Sequence, residues 1–276
     1  MGDLIIVRGG GDIATGTIHR LYRSGFNVLV LEAEAPCAIR REAAFCEAVY
    51  EGSKEVEGVL CERADSVSHA CRMLKEGRLP ILADPQGKAI MELKPEVVVD
   101  AILAKKNLGT NRKMALLTIG LGPGFTAGQD VDVVIETMRG HDLGRLIYQG
   151  SAMADTKVPG SIMGVTDKRV IYAGTDGKIR NIARIGDHVK QGDPLALIET
   201  ADGRQVQVKA SIDGVLRGII RNWYEVKRGL KIADIDPREE EQKNCFTISD
   251  KARCIAGSVL EAAANWKFRF CTGKLR

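Results

Sequence analysis

Two glycine-rich segments, each followed by an acidic residue, are the parts of this 276-residue chain best suited to hold a phosphate. The first reads Gly9-Gly10-Gly11-Asp12-Ile13-Ala14-Thr15-Gly16, with Glu32 further along the chain. Glycines in this pattern allow a tight turn at Gly9 and close backbone approach to a diphosphate at Gly11, with Ala14 in the third position. Glu32 could accept both ribose hydroxyls of an adenosine and would repel a 2′-phosphate, which favours NAD-like over NADP-like ligands. The structural alternative is that the glycines only let a helix pack on a sheet while Asp12 caps that helix.

The second segment reads Gly120-Leu121-Gly122-Pro123-Gly124-Phe125-Thr126-Ala127-Gly128 and precedes Glu136 and Arg139. It lies too close to the next apolar run to contain a helix. It therefore offers backbone N–H groups without a helix dipole, as an anion nest or as a tight turn. The candidate ligand-binding residues are Gly9, Gly10, Gly11, Asp12, Glu32, Gly122, Pro123, Gly124, Glu136 and Arg139. For proton transfer the candidates are His141, Lys106 and Asp100. Of the four histidines, at 19, 69, 141 and 188, only His141 lies in a glycine-flanked polar loop.

These residues need a scaffold, and the apolar patterning supplies one. Leu4–Val7 and Asn27–Leu31 read as buried parallel strands around a helix over Ala14–Tyr22. A helix is expected within Pro36–Tyr50, a hairpin over Val56–Arg63, a helix over Ser66–Glu76 and a strand over Leu79–Ala83. The run Val97–Ala101 is ambiguous between strand and helix start, and Asp100 sits at a carboxyl edge if it is a strand. Leu116–Ile119 and Val131–Ile135 are further strands. Ser249 or Asp250 can cap a helix whose apolar face carries Ala252, Ile255, Ala256, Val259, Leu260 and Ala263.

Between these α/β segments lies an internal repeat. Residues 176–199 laid on 213–236 give ten identities in 24 positions, among them Asp176/Asp213, Gly177/Gly214, Lys190/Lys227 and Gly192/Gly229. Short strands around Asp-Gly turns, repeated once, resemble the pseudo-two-fold barrel-sandwich module of the biotinyl and lipoyl domains over 165–237. In that family a lysine at the hairpin tip carries the cofactor. Here the tip reads Glu199-Thr200-Ala201-Asp202-Gly203-Arg204, and Lys209 falls in a strand, so neither biotin nor lipoyl attachment is expected.

Composition narrows the classes further. The charge balance is +4, with signs mixed along the chain, and aromatic residues make up 5%, which gives nucleic-acid binding no support. Seven cysteines without a C-x-x-C pair argue against a disulfide framework and a zinc knuckle, so no metal site is expected. No apolar run is long enough for a signal h-region or a membrane span, and a cytoplasmic protein is expected. The organisation read from the chain is α/β. A Rossmann-like, mostly parallel sheet occupies 1–164, an inserted small β module 165–237, and a linker and returning helix 238–276.

Five ordered motifs carry a wider resemblance: 9–16, Glu-Ala-Val-Tyr-Glu-Gly at 47–52, 121–128, Ile-Glu-Thr-Met-Arg-Gly-His at 135–141, and Cys-Phe-Thr-Ile-Ser-Asp-Lys at 245–251. Together they resemble the YqeB family of selenium-dependent molybdenum hydroxylase accessory proteins. The resemblance implies a role in maturing a molybdenum enzyme whose cofactor is a pterin dinucleotide, with the apo-hydroxylase as partner; a homo-oligomer is left open by the sequence. The residues themselves add a diphosphate-sized crevice for a nucleotide or pterin dinucleotide. An NAD-dependent oxidoreductase and a non-catalytic docking scaffold are the alternatives. Cys245 would need an exposed, low-pKa thiol to handle sulfur or selenium.

Overall fold

The computed structural model describes residues 4–156, 158 and 160–271. They form two compact units, one from Met1–Pro36, Ala44–Thr156 and Ile248–Arg276, the other from Cys37–Ala43 and Lys157–Thr247. Residues 238–247 thus group with the smaller unit, as does the short segment 37–43.

The larger unit is built on a nine-stranded sheet. Its strands are β1 (Leu4–Arg8), β2 (Asn27–Glu32), β3 (Ser53–Val56), β4 (Val59–Ala64), β5 (Leu79–Ala83), β6 (Val97–Asp100), β7 (Leu117–Leu121), β9 (Val133–Ile135) and β10 (Leu146–Ile147). The pair β8 (Thr126–Ala127) and β11 (Gly150–Ser151) forms a separate ribbon. The order is β10-β9-β7-β6-β1-β2-β5-β4-β3. All neighbours are parallel except the edge pairs β10/β9 and β3/β4. Apolar β-branched runs such as Val97-Val98-Val99 suit strands buried on both faces, and β1 is buried at every position.

Helices α1 (Asp12–Arg23), α2 (Ala48–Glu51), α3 (Val67–Lys75), α4 (Lys88–Leu93) and α5 (Asp250–Cys271) complete the unit. Ser66 caps α3 by accepting the His69 N–H, and Ser249 does the same for α5 through Ala252. The apolar face expected on α5 is the one that packs: Ala252, Ile255, Val259 and Ala263 join Ile18 and Leu21 of α1 in one core. Gly16 makes that crossing close, since a Cβ there would lie 2.9 Å from both the Ala252 Cβ and its carbonyl oxygen.

The helix expected within 36–50 is a correction. The segment forms turns at Arg41–Ala43 and Phe45–Glu47, followed by the short α2. The Phe45 N–H donates to Thr15 Oγ1 at 2.9 Å and the Cys46 N–H to the Gly10 carbonyl at 2.8 Å. Donors committed to the first glycine loop are lost to an i→i−4 ladder.

The smaller unit contains β12 (Val170–Tyr172), β13 (Gly177–Asn181), β14 (His188–Val189), β15 (Pro194–Glu199), β16 (Gln205–Lys209), β17 (Gly214–Ile219), β18 (Glu225–Val226) and β19 (Lys231–Asp236). They make two four-stranded sheets, β12-β19-β17-β14 and β16-β15-β13-β18. The sequence repeat is visible as symmetric exchange between these sheets. Gly177 pairs with Val226, and their repeat mates Gly214 and Val189 pair with each other. Asp176 accepts the Arg228 N–H at 2.7 Å and approaches Lys227 Nζ at 3.4 Å. Asp213 makes the same two contacts, at the same distances, with Gln191 and Lys190. Asp176→Asn and Asp213→Asn should therefore lower Tm by similar amounts in scanning calorimetry, and a large effect from only one of them would show the halves to be inequivalent.

Candidate functional site

The site residues are set by the carboxyl ends of β1, β2, β6, β7 and β9. Gly9 follows β1 with φ +97°, a left-handed value that glycine adopts without strain. A Cβ at Gly9 would lie 2.9 Å from the Ala101 carbonyl, just beyond β6. Gly10 packs on the backbone of Cys46, whereas a Cβ at Gly11 would have nothing within 4 Å. Gly11 is thus the member of the triplet that faces open space, at the N-cap of α1.

In the second loop a Cβ at Gly122 would strike the Thr137 hydroxyl, and one at Gly124 would lie 2.7 Å from the Lys106 Cα. Pro123 between them is half-buried. Both loops therefore border the segment that follows β6: Gly9 meets Ala101 and Ile102, and Gly124 meets Lys106. Within that segment Leu103 and Lys105 hold φ of +59° and +61°. Non-glycine residues in this region store strain and tend to gather at functional sites.

The two strand-end acids turn inward. Glu32 accepts the Gly10 N–H on one oxygen and the Ala33 N–H on the other, each at 2.6 Å. Burial raises the pKa of Glu32, and these two N–H bonds oppose the rise. Glu136 accepts Thr137 and Met138 N–H groups on Oε1, both at 2.7 Å, and the Met153 N–H on Oε2 at 2.8 Å. Glu136→Gln would turn an amide N–H₂ against one set of donors. The change should destabilise the protein by about 3 kcal/mol, a loss measurable by urea denaturation.

Asp100 ends β6, as the strand reading requires, and is buried. Its Oδ2 accepts the Thr110 hydroxyl at 2.5 Å and lies 3.5 Å from Arg8 Nη1, its Oδ1 accepts the Ile102 N–H at 3.1 Å, and Arg8 also reaches Thr110. This network braces the strained segment from beneath. His141 and Lys106 are exposed, and neither side chain makes a hydrogen bond or ion pair among the described residues.

Two residues of the site, Lys105 and Lys251, were not singled out in the sequence. Lys251, in the first turn of α5, is half-buried among charged groups. Burial lowers its pKa, Lys105 and Arg139 lower it further, and Asp12 and Glu136 oppose them. Lys251 thus lies within electrostatic reach of Asp12 at the start of α1, Lys105 of the strained segment, and Glu136 and Arg139 beyond β9. Arg139 is held by Asp250 through two bonds, of 2.7 and 2.9 Å. The only sequence signal for Lys251 was its place at the end of the 245–251 motif. Cys245 in the same motif is fully buried, and burial pushes its thiol up, the reverse of what a reactive thiol needs.

Fold and site together define an α/β protein with an open glycine turn at the start of α1 and a half-buried lysine, Lys251, within electrostatic reach of the first residue of that helix. The chain is 49% identical over 259 residues to the uncharacterised protein YqeB of Escherichia coli (strain K12), a match covering 94% of this chain and 47% of that protein. The chain spans about half the length of this curated relative, and the match supports the YqeB family that the five motifs resemble. No family model matches the chain. Among solved structures, it is similar to the apo ectoine utilization protein EutE (DoeB) of Ruegeria pomeroyi, with 11% identity, coverage of 84% of this chain and 85% of that one, and a TM-score of 0.28. An aspartoacylase family protein of Mesorhizobium loti gives 11% identity, 84% coverage of each chain and a TM-score of 0.30. Likeness this low carries no argument about chemistry.

Proposed function

We propose that the chain binds the diphosphate of a nucleotide or pterin-dinucleotide-like ligand at the start of α1, as part of maturing a selenium-dependent molybdenum hydroxylase. The observation that carries the ligand reading is open Gly11 at a helix N-terminus, whose first helical residue, Asp12, lies within electrostatic reach of half-buried Lys251, as does Lys105. Helix N-termini favour anions through free N–H groups and the dipole, and nearby ammonium groups add charge-assisted bonds. Glu32 and Glu136 hold the loops rather than reach outward, although each carboxylate oxygen keeps capacity for a further donor.

The maturation role rests on the family resemblance. The repeated β unit, read as a barrel-sandwich-like module without a tip lysine, then serves as a docking element for the apo-hydroxylase rather than as a swinging arm. Its tip is tied down locally, with Asp202 accepting from Arg204 Nε at 2.7 Å and bonded to Thr200. Deleting the gene in a host that makes such a hydroxylase should abolish hydroxylase activity and leave the apo-enzyme without its dinucleotide. Normal activity and cofactor content would overturn the role.

A further inference from the structure

At the other end of α1 a charged hollow lies between α1 and α5. It has a volume of about 220 Å³, and its lining includes Gly16, His19, Arg20, Arg23, Arg253 and Leu260. Four of these residues carry cationic or protonatable groups, and they come from two helices more than 200 residues apart in the chain.

Among the described residues Arg253 is the one of the three arginines held in an ion pair. Arg253 Nη2 binds both oxygens of Glu57, at 2.6 and 2.8 Å, and the Ile248 N–H also donates to Glu57, at 2.9 Å. His19 Nε2 lies 3.3 Å from the Glu57 carbonyl oxygen. The side chains of Arg20 and Arg23 have no hydrogen bond or ion pair among the described residues.

Basic residues in a last helical turn offset the helix dipole, which accounts for Arg20 and Arg23 taken alone. It does not account for a third guanidinium and an imidazole facing the same hollow from α5 and from one turn back. Like charges three residues apart repel, and the single Glu57 carboxylate leaves the group positively charged. Guanidinium forks match phosphate oxygens in shape and donor number. The hollow is smaller than the 300–1,000 Å³ usual for drug-sized ligands, so a compact phosphorylated molecule fits it better than a nucleotide.

We infer that the hollow between α1 and α5 is an anion site for a phosphate-type dianion, held by Arg20 and Arg23 with Arg253 and His19 at its wall. It is separate from the glycine-loop site at the opposite end of α1 and does not depend on that reading. The test is an NMR titration of the full chain with inorganic phosphate, following the arginine Nε–Hε signals, with sodium chloride at matched ionic strength as control.

The Arg20, Arg23 and Arg253 signals should shift saturably with phosphate and not with chloride. In the Arg20→Gln/Arg23→Gln double variant the Arg253 response should weaken at least about tenfold, as expected for two lost charge-assisted contacts. The variant's remaining spectrum reports that it is folded. A Lys251→Met variant should keep the response, which separates this site from the other. No saturable shift with phosphate, an equal shift with chloride, an unchanged Arg253 response in the double variant, or a response only to an acidic peptide would each overturn the inference.

Discussion

Gly9→Ala should destabilise the protein by about 3 kcal/mol, combining a left-handed backbone for an L-residue with a collision in a packed region. The collision is with the Ala101 carbonyl and the Ile102 Cα, at 2.9 and 3.1 Å from the added Cβ. Both are backbone, so neither can turn aside. In a chain of this size the loss corresponds to a fall in Tm of roughly 6–12 °C. Gly11→Ala, two residues on, meets nothing within 4 Å and keeps φ at −65°, a value alanine adopts freely. The poorer N-cap that alanine makes and the smaller unfolded-state entropy it brings oppose each other, so its effect on stability should stay within about 1 kcal/mol. The same methyl would stand where a diphosphate must approach the backbone, so ADP affinity should fall at least about tenfold, because displaced phosphate contacts are charge-assisted. Thermal unfolding and calorimetric titration of the two variants separate the roles. Equal stability losses would contradict the packing, and unchanged ADP affinity in Gly11→Ala would contradict the site.

Lys251→Met should weaken ADP binding by about 10- to 100-fold, the range expected for one charge-assisted contact in a partly buried place. The apolar replacement keeps the stem of the side chain beside α1, and the removed charge relieves repulsion from Lys105 and Arg139, so the folded state should not suffer. The pH dependence has a definite sign. Burial and the two neighbouring cations hold the Lys251 pKa below 10.5. A bound diphosphate favours the charged form and raises that pKa, so binding takes up a proton between the free and bound values. Affinity should therefore fall as pH rises through the lowered pKa, before an ordinary lysine would titrate. Calorimetry at rising pH checks this, and in Lys251→Met that part of the pH dependence should disappear. A wild-type affinity that stays flat up to the ordinary lysine range would exclude Lys251 as a ligand-facing cation.

Much of the larger unit was legible because its signals are local. Apolar β-branched runs gave the parallel strands, the glycine triplet gave the β1–α1 turn, and the apolar stripe of α5 gave the returning helix. The 37-residue repeat made Asp176 equivalent to Asp213 and Lys190 to Lys227 but gave no sign that each aspartate reaches the lysine of the other half, since a repeat shows equivalence and not exchange. What stayed hidden depends on tertiary hydrogen bonds. No pattern within 36–50 shows that the Phe45 and Cys46 donors belong to Thr15 and Gly10. Glu32 and Glu136 occupy the positions of ribose-binding acids, and only the fold reveals that their oxygens grip neighbouring backbone. Lys251 lies more than 230 residues from Asp12, and its approach to α1 follows from the close crossing at Gly16 and Ala252, which no spacing rule encodes.

The central claim is that the open turn at Gly11, with Lys105 and Lys251, holds a nucleotide diphosphate. Calorimetric titration of the full chain with ADP and CDP tests it most directly, with the Gly11→Ala variant titrated in parallel. The account predicts saturable binding of at least one of the two, lost or weakened at least about tenfold in the variant. Absence of binding to either at millimolar concentration, or equal binding by the variant, would contradict it.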